Sequence, residues 1–305
     1  MTLRVLVVGA SGFIGSTVSA HLAVAGLRVR RFSRRRRPDS APDDWYIGDV
    51  QDPVAVAGAV EGCDAVVFAA SYTGDDAELA RGTNTIGAAT VFAQAARSGI
   101  TRSVSVSTTA VYGKPGGIYG TASTVPTAPM SAASRTRLEA EGSALAAGAA
   151  VVRPHVVYGA GDRWVVPALA RIVRTTGLWP GPPATTVSGI HVHDLAALVT
   201  GLVLTGAASG EVLHATSREP VDFRALVDPV LLAAGVEPSP RHASVEAVVE
   251  AMGSPALNAR RLDLVGAASE HDSSDAWSAA ELTAPAPRPL SAADVSWYVE
   301  TIRAG

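Results

Sequence analysis

Short runs of β-branched and apolar residues recur along the first half of the chain, at Arg4 to Val8, Arg28 to Phe32, Ala65 to Ala69, Arg102 to Ser107 and Ala150 to Arg153. Their length and valine content predict strands, and the Ala-rich stretches between them carry helical periodicity. Strand alternating with helix predicts an α/β fold of the Rossmann type, a doubly wound parallel sheet with helices on both faces. Val5 to Val8 and Ala65 to Phe68 are apolar without alternation, as strands buried on both faces must be. In such a sheet ligands bind outside the carboxyl ends of the strands.

After about Gly161 the alternation weakens, and proline and glycine cluster at Gly177 to Pro183, Glu237 to Pro240 and Pro285 to Pro289. The chain therefore divides into a dinucleotide-binding domain over residues 1–165 and a smaller C-terminal substrate lobe over 166–305, some of whose segments return to the sheet. The apolar stretch Leu195 to Ala208 is interrupted by Thr200 and Gly201 and falls short of the roughly 18 residues a membrane span needs. The amino terminus runs straight into its first apolar segment without the features of a signal peptide, so the expectation is a cytoplasmic protein that binds no membrane.

Composition narrows the chemistry. With 25 basic and 28 acidic residues among 305, the net charge of −3 offers no broad attraction to nucleic acid. A single cysteine, Cys63, cannot form an intramolecular disulfide or a thiolate cluster.

Gly9-Ala10-Ser11-Gly12-Phe13-Ile14-Gly15 follows the first strand and opens a helix-like segment, Ser16 to Ala25. The glycines permit a tight turn and close approach of backbone to a pyrophosphate, and the helix amino terminus offers free N–H groups to an anion. A dinucleotide site commonly carries a carboxylate about 20 residues further on, to bind the adenosine ribose. Here the second strand ends Phe32-Ser33-Arg34-Arg35-Arg36-Arg37, with no carboxylate. A 2′-phosphate needs cations and hydroxyl donors in that place, which predicts NADP(H), with Arg34 leading and Ser33 and Arg35 assisting.

The order of these segments resembles the extended short-chain dehydrogenase/reductase family, which includes sugar-nucleotide epimerases, dehydratases and ketoreductases. Gly48-Asp49-Val50 resembles its adenine-contacting turn, and Phe68-Ala69-Ala70-Ser71 resembles the loop along the cofactor. Asn84-Thr85-Ile86-Gly87 is similar to its central-helix asparagine motif. Ser105 to Gly113 is similar to the strand and turn that present a catalytic hydroxyl, here Thr108. Arg153-Pro154-His155 to Asp162 and Ile190-His191-Val192-His193-Asp194 resemble later signatures, Pro154 beside the cofactor among them. The second of these fits a strand-to-helix turn, and with no third ligand evident no metal is expected.

The resemblance implies a Tyr-x-x-x-Lys pair on a helix, the tyrosine exchanging the carbonyl proton and the lysine binding the nicotinamide ribose. This chain has Ala133 and Arg137 there. Residues four after its six tyrosines are Val50, Asp76, Gly116, Ser123, Asp162 and Ile302, so the pair occurs nowhere in the sequence. Arg137 can still bind the ribose, but its pKa makes it a poor proton shuttle.

The expectation that follows is an NADPH-dependent ketoreductase without a tyrosine acid, resembling atypical reductases of angucyclinone-type aromatic polyketides in antibiotic biosynthesis. The proton would come from substrate or water, which favours a polycyclic aromatic ketone over a sugar nucleotide. Candidate pocket or proton-relay residues are Ser107, Tyr72, Tyr119, Ser131, His155, for the near-neutral pKa of histidine, and Trp164, which with Trp179 either stacks on a flat substrate or packs beneath loops. The alternatives are a non-catalytic NADP(H)-binding regulator and a sugar-nucleotide epimerase or dehydratase. Substrate identity and oligomeric state stay open.

Overall fold

The structure is a computed structural model that describes residues 2–36, 45–114, 116–183, 185–253, 262 and 267–304. Arg37, the last of the arginine run, lies outside the described residues.

Seven parallel strands form the central sheet in the order β12-β7-β5-β4-β1-β2-β3: Val212–Ala215, Ala150–Pro154, Arg102–Val106, Ala65–Phe68, Arg4–Val8, Arg28–Ser33 and Trp45–Ile47. All six ladders are parallel, a Rossmann-type α/β sheet. Alternate residues of the uninterrupted apolar strands divide between two cores, as a pleat of period two requires. Val5, Val7, Ala65 and Val67 pack with Val18 and Leu22 of α1 (Phe13–Val24) and with Leu198 and Leu202 of α7 (Val192–Thr205). Leu6, Val8, Val66 and Phe68 pack instead with Val56 and Val60 of α2 (Pro53–Val60) and with Val91 and Phe92 of α4 (Gly87–Arg97). This two-sided burial explains why these strands carry no polar alternation.

The chain leaves β1 in one direction to β2 and β3 and returns on the other side to β4, β5, β7 and β12, so strand order reverses between β1 and β4. At that crevice ligands bind in open α/β sheets. Val8 pairs with both Phe32 and Phe68, so the carboxyl ends of β1, β2 and β4 lie level.

Elements after residue 165 go to two places. Strand β12 and helix α7 join the central sheet and its core, whereas α6 (Val166–Thr176), α8 (Phe223–Ala233), α9 (Val245–Met252) and the C-terminal helix Ala292–Ala304 build a separate core around Tyr158, Trp179, Phe223 and Tyr298. A four-stranded sheet, β13-β10-β15-β6, sets Val221–Asp222, Thr186–Val187, Ser269–His271 and Gly117–Tyr119 side by side. No described helix is long and apolar enough to cross a membrane.

Candidate active site

The loop after β1 is held by its glycines. Gly9 has φ +83°, and a Cβ there would come within 2.5 Å of the Ala70 backbone nitrogen; at Gly15 one would meet the Gly9 carbonyl oxygen at 2.3 Å. Only hydrogen fits between these backbones. Helix α1 starts at Gly12 without a side-chain cap and has no acidic residue in its first turn, so its N–H groups are available to an anion.

Around this loop runs a cleft of about 570 Å³. It is lined by Gly9, Ser11 and Gly12 after β1, Ser33, Arg34 and Arg35 after β2, Gly48, Asp49 and Val50 after β3, Ala69, Ala70 and Ser71 after β4, and Thr83. Arg34 and Arg35 are exposed at its β2 end, where Ser33 Oγ donates to the Arg35 carbonyl at 2.5 Å. Asp49 accepts from the Gln51 N–H at 2.9 Å and so fixes its own turn. Cradle and uncapped helix fit the pyrophosphate of a nicotinamide dinucleotide.

Other residues expected at the cofactor stand behind this surface. Phe13 and Ile14 begin α1, and Phe13 covers Gly161, where a Cβ would fall 2.6 Å from its ring. Pro154 is buried at the end of β7. Arg137, on α5 (Ala132–Ala146) one turn after Ala133, donates from Nη2 to the Ser107 carbonyl at 2.5 Å. Burial lowers its pKa to about 10, still well above neutrality. Its observed contact fixes the end of β5 rather than reaching along the cleft.

Beside the cleft, at the end of the neighbouring strand β5, lies a pocket of about 240 Å³. The structure brings Thr108, Tyr119 and His155 together there, with Thr109, Tyr112, Lys114, Ser269 and His271. Thr108 Oγ1 accepts from the Ala110 N–H at 3.2 Å, which leaves its own proton to donate. Asn84 anchors the adjoining loop: its amide accepts from Tyr72 N at 2.8 Å and donates to Tyr72 O at 3.0 Å and to Thr136 Oγ1 at 2.9 Å.

The remaining candidates lie elsewhere. Ser107 is buried and donates to Glu141. Tyr72 is half-buried, and its hydroxyl folds over Gly74. Ser131 caps α5, accepting from Ser134 N at 3.0 Å in a reciprocal box with Ser134. Trp164 is 57% exposed ahead of α6. Of the two roles open to Trp179, stacking on a substrate or packing beneath loops, it takes the second: it is buried in the lobe core, with the Arg224 guanidinium 5.2 Å from its ring centroid.

A polar network that sequence reasoning missed supports the pocket from below. Arg153 binds Glu141 and donates from Nη1 to Tyr112 Oη at 3.0 Å. His214 Nδ1 lies 3.0 Å from the Asp272 carbonyl, which can only accept, so Nδ1 carries the proton and Nε2 accepts from Tyr112 Oη at 2.7 Å. Burial holds His214 at about 4 and His155 likewise at about 4, with His214 adding to the depression of His155. His155 is thus neutral at pH 7 and donates no imidazolium proton, contrary to the near-neutral titration expected of it. Sequence gave no signal for His214 or His271, which come from strands distant in the chain.

Comparison with known proteins places the chain among nicotinamide-dependent folds. Residues 5–211 match the profile of the NAD dependent epimerase/dehydratase family. The chain is 29% identical over 252 residues to 4-hydroxy-2-methyl-3-oxo-4-farnesyl-3,4-dihydroquinoline-1-oxide ketoreductase of Stigmatella aurantiaca, covering 77% of this chain and 74% of that protein. It is 30% identical over 252 residues to 2-alkyl-3-oxoalkanoate reductase of Stenotrophomonas maltophilia (strain K279a), covering 76% of each. Among solved structures, MoeE5 in complex with UDP-glucose and NAD superposes with a TM-score of 0.74 at 22% identity over 99% of both chains. The Bordetella bronchiseptica enzyme WbmH in complex with NAD+ gives 0.75 at 21%, over 98% of this chain and 99% of that one.

Proposed function

Because the chain belongs to the NAD dependent epimerase/dehydratase family, we propose that it is an NADPH-dependent ketoreductase acting on a polycyclic aromatic, angucyclinone-type polyketide carbonyl. The observation that carries this reading is the pocket at the end of β5, lined by Thr108 together with Tyr112, Tyr119 and His271, beside a cleft lined at its β2 end by Ser33, Arg34 and Arg35. Two relatives named as reductases support it, one of them acting on a 3-oxo-dihydroquinoline.

The bound nicotinamide supplies the hydride. The chain's own part is positioning and charge stabilisation. Thr108 donates a hydrogen bond to the substrate carbonyl oxygen and stabilises the charge that grows there. Arg137 holds the Ser107 carbonyl and so sets the backbone from which Thr108 projects. Arg34 and Arg35 would hold the 2′-phosphate of the bound nucleotide. With alanine at 133 and His155 neutral, the proton that completes the alcohol comes from a hydroxyl of the substrate or from water. General acid catalysis contributes about 10²- to 10⁴-fold, so turnover survives its loss when alignment is kept.

The test is consumption of NADPH by the purified protein with polycyclic hydroxyquinones and with sugar-nucleotide ketones, NADH serving as control. Consumption with an aromatic ketone, yielding the alcohol, is the expected result. Tight NADPH binding with no consumption on any ketone would identify a regulator, and a tightly held, recycled nucleotide acting on a sugar nucleotide would identify an epimerase or dehydratase.

A further inference from the structure

Three residues that line the pocket beside Thr108 each carry a buried polar atom without a protein partner: His155 Nε2, His271 Nδ1 and Ser269 Oγ. His271 is 7% exposed and Ser269 fully buried. Buried polar groups are nearly always hydrogen-bonded, and leaving one unpaired costs about 1–3 kcal/mol. Two imidazoles with unspent hydrogen-bonding capacity at one small pocket point to a ligand that pairs with them.

The fold sets them there through strand register. Strand β15 (Ser269–His271) runs parallel to β6 (Gly117–Tyr119) with His271 opposite Tyr119, and their rings lie 4.8 Å apart, about one strand spacing. The Tyr112 ring is nearly parallel to both, inclined 17° to His271 and 24° to Tyr119. The His155 ring lies 4.9 Å from that of His271. One wall is thus aromatic, and polar nitrogens interrupt it.

Resting on the ketoreductase reading above, we propose that His271, with His155, is a specificity-determining residue that reads an uncharged oxygen on the substrate remote from the reacting carbonyl. The substrate class is then a flat hydroxylated aromatic ketone: the parallel rings accept a planar face, the paired imidazoles accept or donate one hydrogen bond each, and Thr108 takes the carbonyl. Burial holds His271 at about 2 and His155 at about 4, so both are neutral at physiological pH and bind neutral oxygen functions. Among the described residues Lys114 is the one cation lining the pocket, poor provision for a diphosphate.

The test uses two probes, 6-hydroxy-1-tetralone and 1-tetralone, which differ only in the remote hydroxyl. Their dissociation constants are measured by calorimetry on the full chain saturated with NADP+. The wild type should bind the hydroxylated ketone about tenfold more tightly, the worth of one hydrogen bond to a buried partner. His271→Phe keeps the ring and should bring the two affinities within about twofold, while His271→Asn, which restores a polar atom near Nδ1, should recover part of the ratio. Histidine nitrogen NMR of the wild type gives a reading independent of any variant: two of the seven histidines should shift with the hydroxylated probe and not with the parent. An unchanged affinity ratio in His271→Phe, no shift of histidine nitrogens, or no binding of either probe would overturn the inference. NADPH consumption is scored separately: aromatic-ketone turnover with an unchanged ratio sinks the role of His271 alone, whereas turnover of sugar nucleotides only sinks the ketoreductase reading as well.

Discussion

The Arg153 guanidinium meets the Glu141 carboxylate side-on, Nε to Oε1 at 3.0 Å and Nη2 to Oε2 at 2.5 Å, with the two side chains 6% and 3% exposed. The pair joins α5 to β7 and links the Ser107 hydroxyl on one side to Tyr112 and His214 on the other. Removing one member leaves a desolvated charge, which costs roughly 3–5 kcal/mol, whereas replacing both by apolar groups of similar volume is often near neutral. Thermal unfolding should therefore show Glu141→Leu and Arg153→Met each strongly destabilised, and the double variant less so than either. A double variant worse than both would mean that the pair contributes net stability of its own.

The cofactor loop makes a sharper prediction. Gly9→Ala places a methyl on the backbone at Ala69 and Ala70, neither of which can yield as a flexible side chain would. The positive φ adds strain of about 1 kcal/mol or more. Affinity for NADPH should fall at least tenfold by fluorescence titration, and unchanged affinity would place the nucleotide away from this loop.

On the proposed reading, Arg34 meets the 2′-phosphate that distinguishes the two nicotinamide cofactors. A charge-assisted hydrogen bond is worth about 1.5–3 kcal/mol, so Arg34→Ala should weaken NADPH binding roughly 10- to 100-fold and leave NADH within about threefold. Equal losses for the two nucleotides would show that Arg34 does not discriminate by the 2′-phosphate. Arg35→Ala should produce a selective loss of the same sign, since Arg35 lines the cleft beside Arg34.

Legibility from sequence followed the range of each interaction. The strands β1 and β4 announce themselves because burial on two faces forces uninterrupted apolar runs, β2, β5 and β7 through their β-branched residues, and the glycine loop because only glycine fits its contacts. Thr108 was legible as the hydroxyl at the end of a strand. The pocket wall was not: His214 and His271 sit on strands β12 and β15, and only the pairing of β15 with β6 sets His271 against Tyr119. Trp179 illustrates the same limit, since nothing local distinguishes a tryptophan that stacks on a ligand from one that fills a lobe core.

The buried imidazoles also set how stability changes with pH. His155 and His214 titrate near 4 in the fold against 6.5 when unfolded, and His271 lower still. Between pH 6.5 and 4 the unfolded chain binds more protons than the native one, so stability rises with pH and falls as acid is added. Each imidazole contributes roughly 1.4 kcal/mol per pH unit across that window. Asp162, raised by burial, acts in the opposite sense. Melting temperature should be level above about pH 7.5 and drop steeply below 6.5, and His271→Phe should shallow the drop. A flat profile from pH 7 to 4.5 would show that these rings are protonated in the folded protein.

The origin of the proton can be separated from the alignment of the carbonyl by two substitutions at the same pocket. Thr108→Val keeps the branched shape and removes the donor, so kcat should fall roughly 10- to 100-fold with little change in KM, the mark of an interaction made chiefly in the transition state. Thr108→Ser should retain most of the rate. Ala133→Tyr supplies a phenol at the position where the family resemblance implies the acid, but its partner one turn on is Arg137, whose guanidinium is engaged with the Ser107 carbonyl and stays charged across the working pH range. If substrate or water delivers the proton, the added tyrosine competes with an intact route and kcat should stay within a few-fold of wild type. A large rise in kcat at unchanged KM would show instead that protonation limits the natural enzyme and that the hydroxyl missing at position 133 is the reason. Running both variants in heavy water settles the order of events: a solvent isotope effect enlarged by Thr108→Val and unchanged by Ala133→Tyr is expected where Thr108 aligns the oxygen and another group protonates it.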